Sequence, residues 1–450
     1  MMNLSTDEIY SLFGACPTEK TENQVIEGVS TDSRSLTADQ VFFAIRGENF
    51  DGNDYIEKAL SQGACLVVGE RTFPDRRVIT VTDSVLALGI LAKYYRRKFD
   101  IPVIAITGSV GKTSTKEMIK SVLMRKFNVH STTGNLNNHI GMPMTLFHLS
   151  EEHDISVLEM GMSHFNEIDY LSDIASPTFA VFTNIGVSHI GNLGSRENIL
   201  KAKLEMLSHM KPYSTVLING DDDMLKTLKD RNDFSVISFG FNQDNDYAVS
   251  QFVNESEERC SFSLNGHSYI LKTGGRHNVY NALPAIIIGE MNRISKDQIQ
   301  EGLYSYQNAK MRMDIIKKGT LTIINDAYNA NTQSMKAAIE VLSLYPNRKV
   351  AILGEMLELG DFSDISHEEI GAFTATQGID VLIAVGHQAD KYRIGAVNKN
   401  MKSKMVYTFN DFIELKTMIN DIIMDNDVIL LKGSRGSKME ETLNLIDLKE

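Results

Sequence analysis

Short continuous apolar runs recur along this chain, separated by stretches whose apolar residues return at helical spacing. Val103-Ile-Ala-Ile106, Ile155-Ser-Val-Leu-Glu159, Phe179-Ala-Val-Phe-Thr183 and Thr215-Val-Leu-Ile-Asn219 are such runs, of the kind expected for strands buried on both faces. Between them, Met118, Ile119, Val122 and Leu123 fall on one helical face. From Ile101 to about Asn308 this alternation predicts a mostly parallel sheet covered by helices on both sides. Within it, Asp246 to Thr273 alternates polar and apolar residues and predicts a small antiparallel excursion, followed by a helix from His277 to Glu290. A third alternation begins near Met311, with strands at Leu321 to Asn325, Lys349 to Leu353, Val381 to Val385 and Val428 to Leu431. The first hundred residues offer strands at Val41 to Ile45 and Ala64 to Val68, a helix from Asp54 to Gln62 between them, and a basic helical end, Lys93 to Lys98, ahead of Pro102. The expected class is α/β with three domains. Residues 1–98 form a small mixed α/β domain, 99–310 a central doubly wound, mostly parallel domain, and 311–450 a smaller Rossmann-like one.

Length supports that division, because 450 residues exceed what one hydrophobic core usually organises and set a prior of roughly two to four domains. A net charge of −13 and a pI near 5.4 argue against a nucleic-acid surface, which needs a sustained cationic field. An anionic ligand must therefore be held by local groups. Cys16, Cys65 and Cys260 are too few and too scattered for a disulfide framework or a C-x-x-C metal site, which fits a reducing cytoplasm. Met1 to Ala15 is acidic and broken by polar residues, unlike a secretory signal. No apolar run approaches the roughly 20 residues that span a bilayer. A soluble cytoplasmic monomer with no transmembrane segment is the expectation.

The local chemistry concentrates where the first central strand ends. Thr107-Gly108-Ser109-Val110-Gly111-Lys112-Thr113 joins an apolar strand to a helix through a glycine loop. Gly108 and Gly111 lack side chains, so backbone N–H groups can converge on phosphate oxygens, and the helix N-terminus favours negative charge. Lys112 would neutralise the outer phosphates and Thr113 would ligate the nucleotide's magnesium. The spacing is shorter than G-x-x-x-x-G-K-[ST], because Ile106 stands five residues before Gly111.

Other candidates are weaker taken alone. Glu159 ends a strand in the same domain, where ligands of open parallel sheets sit, and reads either as a magnesium ligand or as a solvated carboxylate. His189 follows the next strand and is as readily a hydrogen-bonded structural histidine. Lys203 lies on a helix where a lysine is ordinarily a solvated charge. Asn135, Asn137 and Asn138 occupy an amide-rich loop that suits turns. The cluster Asn325-Asp326-Ala-Tyr328-Asn329-Ala330-Asn331 ends a strand of the third domain and favours a ligand-facing loop.

Together these segments resemble the Mur ligase family over almost the whole chain. The loop from Thr107 to Thr113 is similar to that family's nucleotide loop, including its shortened spacing. Glu159 in Leu-Glu-Met-Gly and His189 in Thr-Asn-Ile-Gly-x-x-His match its magnesium ligands, and Lys203 matches its carbamylated lysine, an anionic ligand once it carries CO₂. The resemblance implies ATP and two Mg²⁺ ions. It assigns Asn278 and Asn281 to the adenine side, Arg312 to a hinge arginine approaching the nucleotide, and Asp326 to the nucleotide site. Ser33, Arg34, Asp51 and Gly52 resemble segments that hold a UDP-sugar. Asn135, Asn138, Tyr328, Asn329 and Ala330 fall to the remaining substrate contacts.

Asn325-Asp-Ala-Tyr-Asn-Ala330 and Leu353-Gly-Glu-Met-Leu-Glu-Leu-Gly360, with His367 following, resemble the member that joins UDP-N-acetylmuramoyl-tripeptide to D-alanyl-D-alanine through an acyl phosphate. Thr332 stands where a proline often follows the first motif. Two relatives in the superfamily fit less well. A folylpolyglutamate synthase lacks the UDP-sugar domain that residues 1–98 suggest, and the amidotransferase-associated ligase carries a four-cysteine zinc ribbon that this chain cannot build. A catalytically silent nucleotide-binding module has no reason to keep Lys112, Thr113, Glu159, His189 and Lys203 together.

Overall fold

The structure is a computed structural model and describes residues 2, 4–15, 23–256, 259–308 and 310–446. Cys16 lies outside the described residues. The chain folds into two compact units, one comprising Met1–Ile106, Lys126–Ala180 and Leu204–Thr215, the other Thr107–Arg125, Val181–Lys203 and Val216–Glu450. Residues 99–310 contribute to both.

In the first unit a four-stranded parallel sheet runs in the order Gly28–Ser30, Gln40–Phe43, Leu66–Gly69, Val78–Thr80. Phe42, Ala44, Ile56, Ala59, Leu60 and Val67 form its core. The expected helix over 54–62 is split into a 3-10 turn, Gly52–Tyr55, and an α-helix, Ile56–Ser61. The side chain of Asp51 caps the turn by accepting from Asn53 N–H at 2.9 Å, so the helical path begins earlier and tighter than the apolar spacing indicates. The basic segment belongs to helix Ser84–Arg96, whose N-terminus is capped by Asp83. That helix stops where the guanidinium of Arg96 donates to the carbonyls of Phe99 and Ile101 at 2.6 and 2.9 Å. Strand Ile155–Glu159 lies parallel between Val103–Thr107 and Val129–Ser131.

In the second unit the order Thr215–Asn219, Ser235–Gly240, Tyr247–Ser256, Arg259–Leu264, His267–Leu271 carries the expected excursion. Its last three strands are antiparallel, while Ser235–Gly240 joins Tyr247–Ser256 in parallel. Helix Arg276–Met291 follows Gly275, whose φ is +95°. A six-stranded sheet has the order Asp314–Lys318, Leu321–Asp326, Val428–Lys432, Lys349–Leu353, Val381–Val385, Val406–Phe409. All its neighbours are parallel except the first pair. Ile323, Val350, Ile352, Ile383, Ile429 and Leu431 make its core, which explains why these strands read as unbroken apolar runs. Among the described residues no helix is long and apolar enough to cross a membrane.

Candidate active site

Strand Val103–Thr107 runs straight into the glycine loop and helix Lys112–Leu123. Gly111 caps the helix with a φ of +85°, a left-handed conformation that costs other residues, and a Cβ there would strike Asn281 Oδ1. The loop is pinned by residues that follow strand Phe179–Phe182. Asn184 accepts from Ser109 N–H through its carbonyl at 3.0 Å and from Val110 N–H through its side chain at 2.9 Å, and donates to Val110 O at 3.0 Å. Thr183 Oγ1 donates to the same carbonyl at 2.6 Å, and Gly186 N–H donates to Ser109 Oγ at 2.8 Å. Two of the loop's amides are therefore committed to Asn184. The first turn of a helix adds amides without intrahelical acceptors, the kind of donors that face an anion. Lys112 Nζ donates to Gly108 O at 2.7 Å, which holds the ammonium over its own loop.

The loop opens into a cavity of about 210 Å³ within the second unit. Of the residues expected at the nucleotide, Ser109, Val110, Gly111, Lys112, Thr113, Asn278, Asn281, Arg312 and Asp326 line it, as do Tyr328, Asn329 and Ala330. Thr107 is fully buried, and it and Gly108 carry the loop from the strand. The guanidinium of Arg312 stacks on the Tyr328 ring at 4.1 Å. Its flanking residues Met311 and Met313 have φ of +59° and +52°, and this strained segment is tied down by Tyr328 N–H to Met311 O and by Met313 N–H to Asp326 Oδ1, both at 3.1 Å. Asp326 also accepts from Lys432 at 2.5 Å. Asp326 thus positions the arginine. Asn278 donates to Thr273 Oγ1 and Gly274 O, each at 2.7 Å.

Asn331, the last residue of the expected ligand-facing cluster, also lines the cavity, as do Asn184, Asn219, His277, Tyr280 and Lys432, which the sequence did not single out. Asn184, Asn219 and Lys432 lie at or just beyond the carboxyl ends of strands, so the strand-end rule applied to every strand would have found them. Burial holds the imidazole of His277 down at about 4, so it presents a neutral ring.

Lys203 is 2% exposed on helix Arg196–Leu204, with no carboxylate at ion-pair distance among the described residues. Burial, reinforced by the charge of Lys112, pushes its ammonium well below the usual lysine range. His189 lines a second cavity, of about 170 Å³. In the first unit, Glu159 is 1% exposed and accepts from Asn137 Nδ2 at 2.7 Å. Asn137, not its neighbours, is the loop amide that meets this carboxylate. Asn135 and Asn138 are exposed, and Asn138 Oδ1 caps the amides of Ile140 and Gly141 at 3.2 and 2.8 Å. Ser33 is buried, Arg34 pairs with Asp32 at 2.7 Å, and Asp51 pairs with Arg71 at 2.5 Å. Gly52 packs so closely that a Cβ would lie 2.5 Å from Ile45 O. Among the described residues, no three His, Cys, Asp or Glu side chains form a metal-binding group.

Three family models match in succession: the Mur ligase family catalytic domain over residues 25–104, the Mur ligase middle domain over 106–289, and the Mur ligase glutamate ligase domain over 311–435. The UDP-N-acetylmuramoyl-tripeptide--D-alanyl-D-alanine ligase of Bacillus subtilis is 40% identical over 431 residues, covering 93% of each chain. Among solved structures, MurF from Acinetobacter baumannii superposes with a TM-score of 0.91 at 31% identity over 98% of both chains. MurF from Thermotoga maritima in complex with ADP gives 0.82 at 28% identity, over 93% of this chain and 96% of that one. With this coverage and identity, the chain belongs to the Mur ligase family.

Proposed function

We propose that this protein is the ATP-dependent ligase that joins UDP-N-acetylmuramoyl-tripeptide to D-alanyl-D-alanine, giving the UDP-muramoyl-pentapeptide precursor of peptidoglycan. The observation that carries this reading is the cavity in which Lys112 and Arg312 bring positive charge to a glycine-loop helix N-terminus, in a chain otherwise strongly acidic. Such a site suits a polyphosphate.

A carboxylate cannot acylate an amine directly, because oxide is too poor a leaving group. The terminal carboxylate oxygen of the tripeptide attacks the γ-phosphorus of ATP, the bond to the β-phosphate oxygen breaks, and ADP departs. The amine of D-alanyl-D-alanine then attacks the resulting acyl phosphate at carbon. The C–O bond breaks with its electron pair going to inorganic phosphate, and the nitrogen loses its extra proton to solvent. Phosphoryl transfer depends mostly on positioning and charge stabilisation. Lys112 lies over the loop to meet charge on the outer phosphates, and Arg312, held by Tyr328 and indirectly by Asp326, supplies a second cation.

The donor set fits magnesium if Lys203 is carbamylated: burial shifts its amine toward the neutral form, the form that attacks CO₂, and the carbamate would supply the oxygen ligand that hard cations prefer. In this reading Thr113, Glu159, His189 and Lys203 hold two Mg²⁺ ions, which supply charge neutralisation at the phosphates. Ser33, Arg34, Asp51 and Gly52 hold the UDP-sugar, Asn135 and Asn138 the peptide, and Tyr328, Asn329 and Ala330 the incoming dipeptide. Residues 1–98, 99–310 and 311–450 act as substrate, ATP and C-terminal domains of a cytoplasmic monomer.

The test is phosphate release from ATP with each UDP-tripeptide, with and without D-alanyl-D-alanine, and mass spectrometry of the product. Dipeptide-dependent release with a pentapeptide product is expected. Release indifferent to the dipeptide would remove the ligase assignment.

A further inference from the structure

The loop carrying His189 docks onto the loop after strand Lys349–Leu353, and the two meet through residues in a rarely used backbone state. His189 and Glu358 each have a φ of +63°, which non-glycine residues adopt at a cost unless their surroundings enforce it. The surroundings do so here. Gly191 N–H donates to Glu358 O at 3.0 Å, and a Cβ on Gly191 would lie 2.8 Å from that oxygen and 2.8 Å from Gly360 N. Only glycine permits this approach. The side chains complete the junction, with His189 Nδ1 at 2.5 Å from Glu358 Oε2. Both line the 170 Å³ cavity, together with Ser188 and Asn331, and Asn331 Nδ2 donates to Ser188 Oγ at 2.5 Å, one residue from the histidine.

An imidazole that donates its Nδ1 proton to a carboxylate is locked in one tautomer, with its lone pair on Nε2. Histidines that bind metal ions use this arrangement to fix ring orientation and raise ligand basicity, and removal of the carboxylate typically costs 10- to 100-fold in metal affinity. We propose that Glu358 is a positioning residue that holds His189 in the Nδ1–H tautomer and leaves Nε2 as its metal-coordinating atom. This rests on the reading of His189 as a magnesium ligand. It gives a role to the Leu353–Gly360 segment that the phosphate cradle does not use.

The experiment replaces Mg²⁺ by Mn²⁺ in the full chain with ADP. Electron paramagnetic resonance reads Mn²⁺ affinity from the free-ion signal, and electron spin echo modulation detects a directly coordinated ¹⁴N. The unmodified protein should show the nitrogen coupling and His189→Ala should lose it. Glu358→Ala should weaken Mn²⁺ binding about tenfold or more and diminish the coupling, while its metal-free melting curve reports folding separately. Glu358→Gln, whose amide oxygen still accepts from Nδ1–H, should recover most of the coupling. Wild-type Mn²⁺ affinity and coupling in Glu358→Ala would overturn the positioning role. An unmodified protein without nitrogen coupling would instead remove His189 from the metal site, and this inference with it.

Discussion

Lys432 donates to Asp326 at 2.5 Å from a position that is 2% exposed, and the two residues face each other in register on adjacent parallel strands. The same ammonium donates to Asn329 O at 3.0 Å. One buried cation therefore fixes both ends of the Asp326–Asn329 loop. Losing one partner of such a pair strands the other charge. Lys432→Met should cost about 3 kcal/mol in urea unfolding, whereas the double variant with Asp326→Asn should cost clearly less than the sum of the single changes. Additive losses would mean the two groups do not interact.

His130 predicts an acid-labile first unit. It is 4% exposed, its Nε2 lies 2.9 Å from Thr145 O and its Nδ1 2.8 Å from Ser156 Oγ. Burial depresses its imidazole to about 4 from the ordinary 6.5. The folded state thus binds fewer protons than the unfolded chain, and stability falls as pH drops below 6.5 and levels off near 4. Roughly 2 kcal/mol of the loss between pH 7 and pH 5 should come from this one group. Urea midpoints at the two pH values check it, because His130→Gln should flatten that slope whatever it does to absolute stability. An unchanged slope would exclude the histidine as the cause.

Strands such as Lys349–Leu353 were legible because from Val350 onward both faces are buried, so those positions are all apolar and no periodicity has to be resolved. Asp314–Lys318 was not, since it alternates half-buried and exposed positions at the sheet edge and its partner strand supplies the only ordering. The glycine loop was legible because its chemistry is contiguous in sequence. Asn184, Asn219 and Lys432 are ordinary polar residues until the sheet gathers their strand ends around one cavity. Lys203 shows the converse: its pattern is that of a solvated helical lysine, and only tertiary burial gives it unusual chemistry.

Thr332 is the first residue of helix Thr332–Ser343, after Asn331 at φ −150°, ψ 170°. Its hydroxyl is buried without a hydrogen-bond partner among the described residues. Proline suits this first helical position, where the N–H has no intrahelical acceptor, and the extended Asn331 is the conformation a residue before proline prefers. Thr332→Pro should therefore stabilise the protein by about 0.5–1 kcal/mol, read as a higher urea midpoint with an unchanged denaturant slope. Destabilisation would show that the loop needs a backbone geometry proline cannot adopt.

Lys112 and Gly111 separate charge from shape in the phosphate cradle. Lys112→Ala removes an ammonium that donates to Gly108 O at 2.7 Å, so unfolding free energy should move by no more than about 1 kcal/mol. Phosphate release should nevertheless fall at least about a hundredfold, because a charge stabilising the transferring phosphoryl group is gone. Gly111→Ala acts on shape. Its φ of +85° makes a side chain costly by about 1–2 kcal/mol, and the added methyl displaces Asn281 from the cavity wall. That variant should lose stability and ADP affinity together, measured by urea unfolding and calorimetry. If Lys112→Ala kept full turnover, the outer phosphates could not lie against this loop, whatever the glycine variant did.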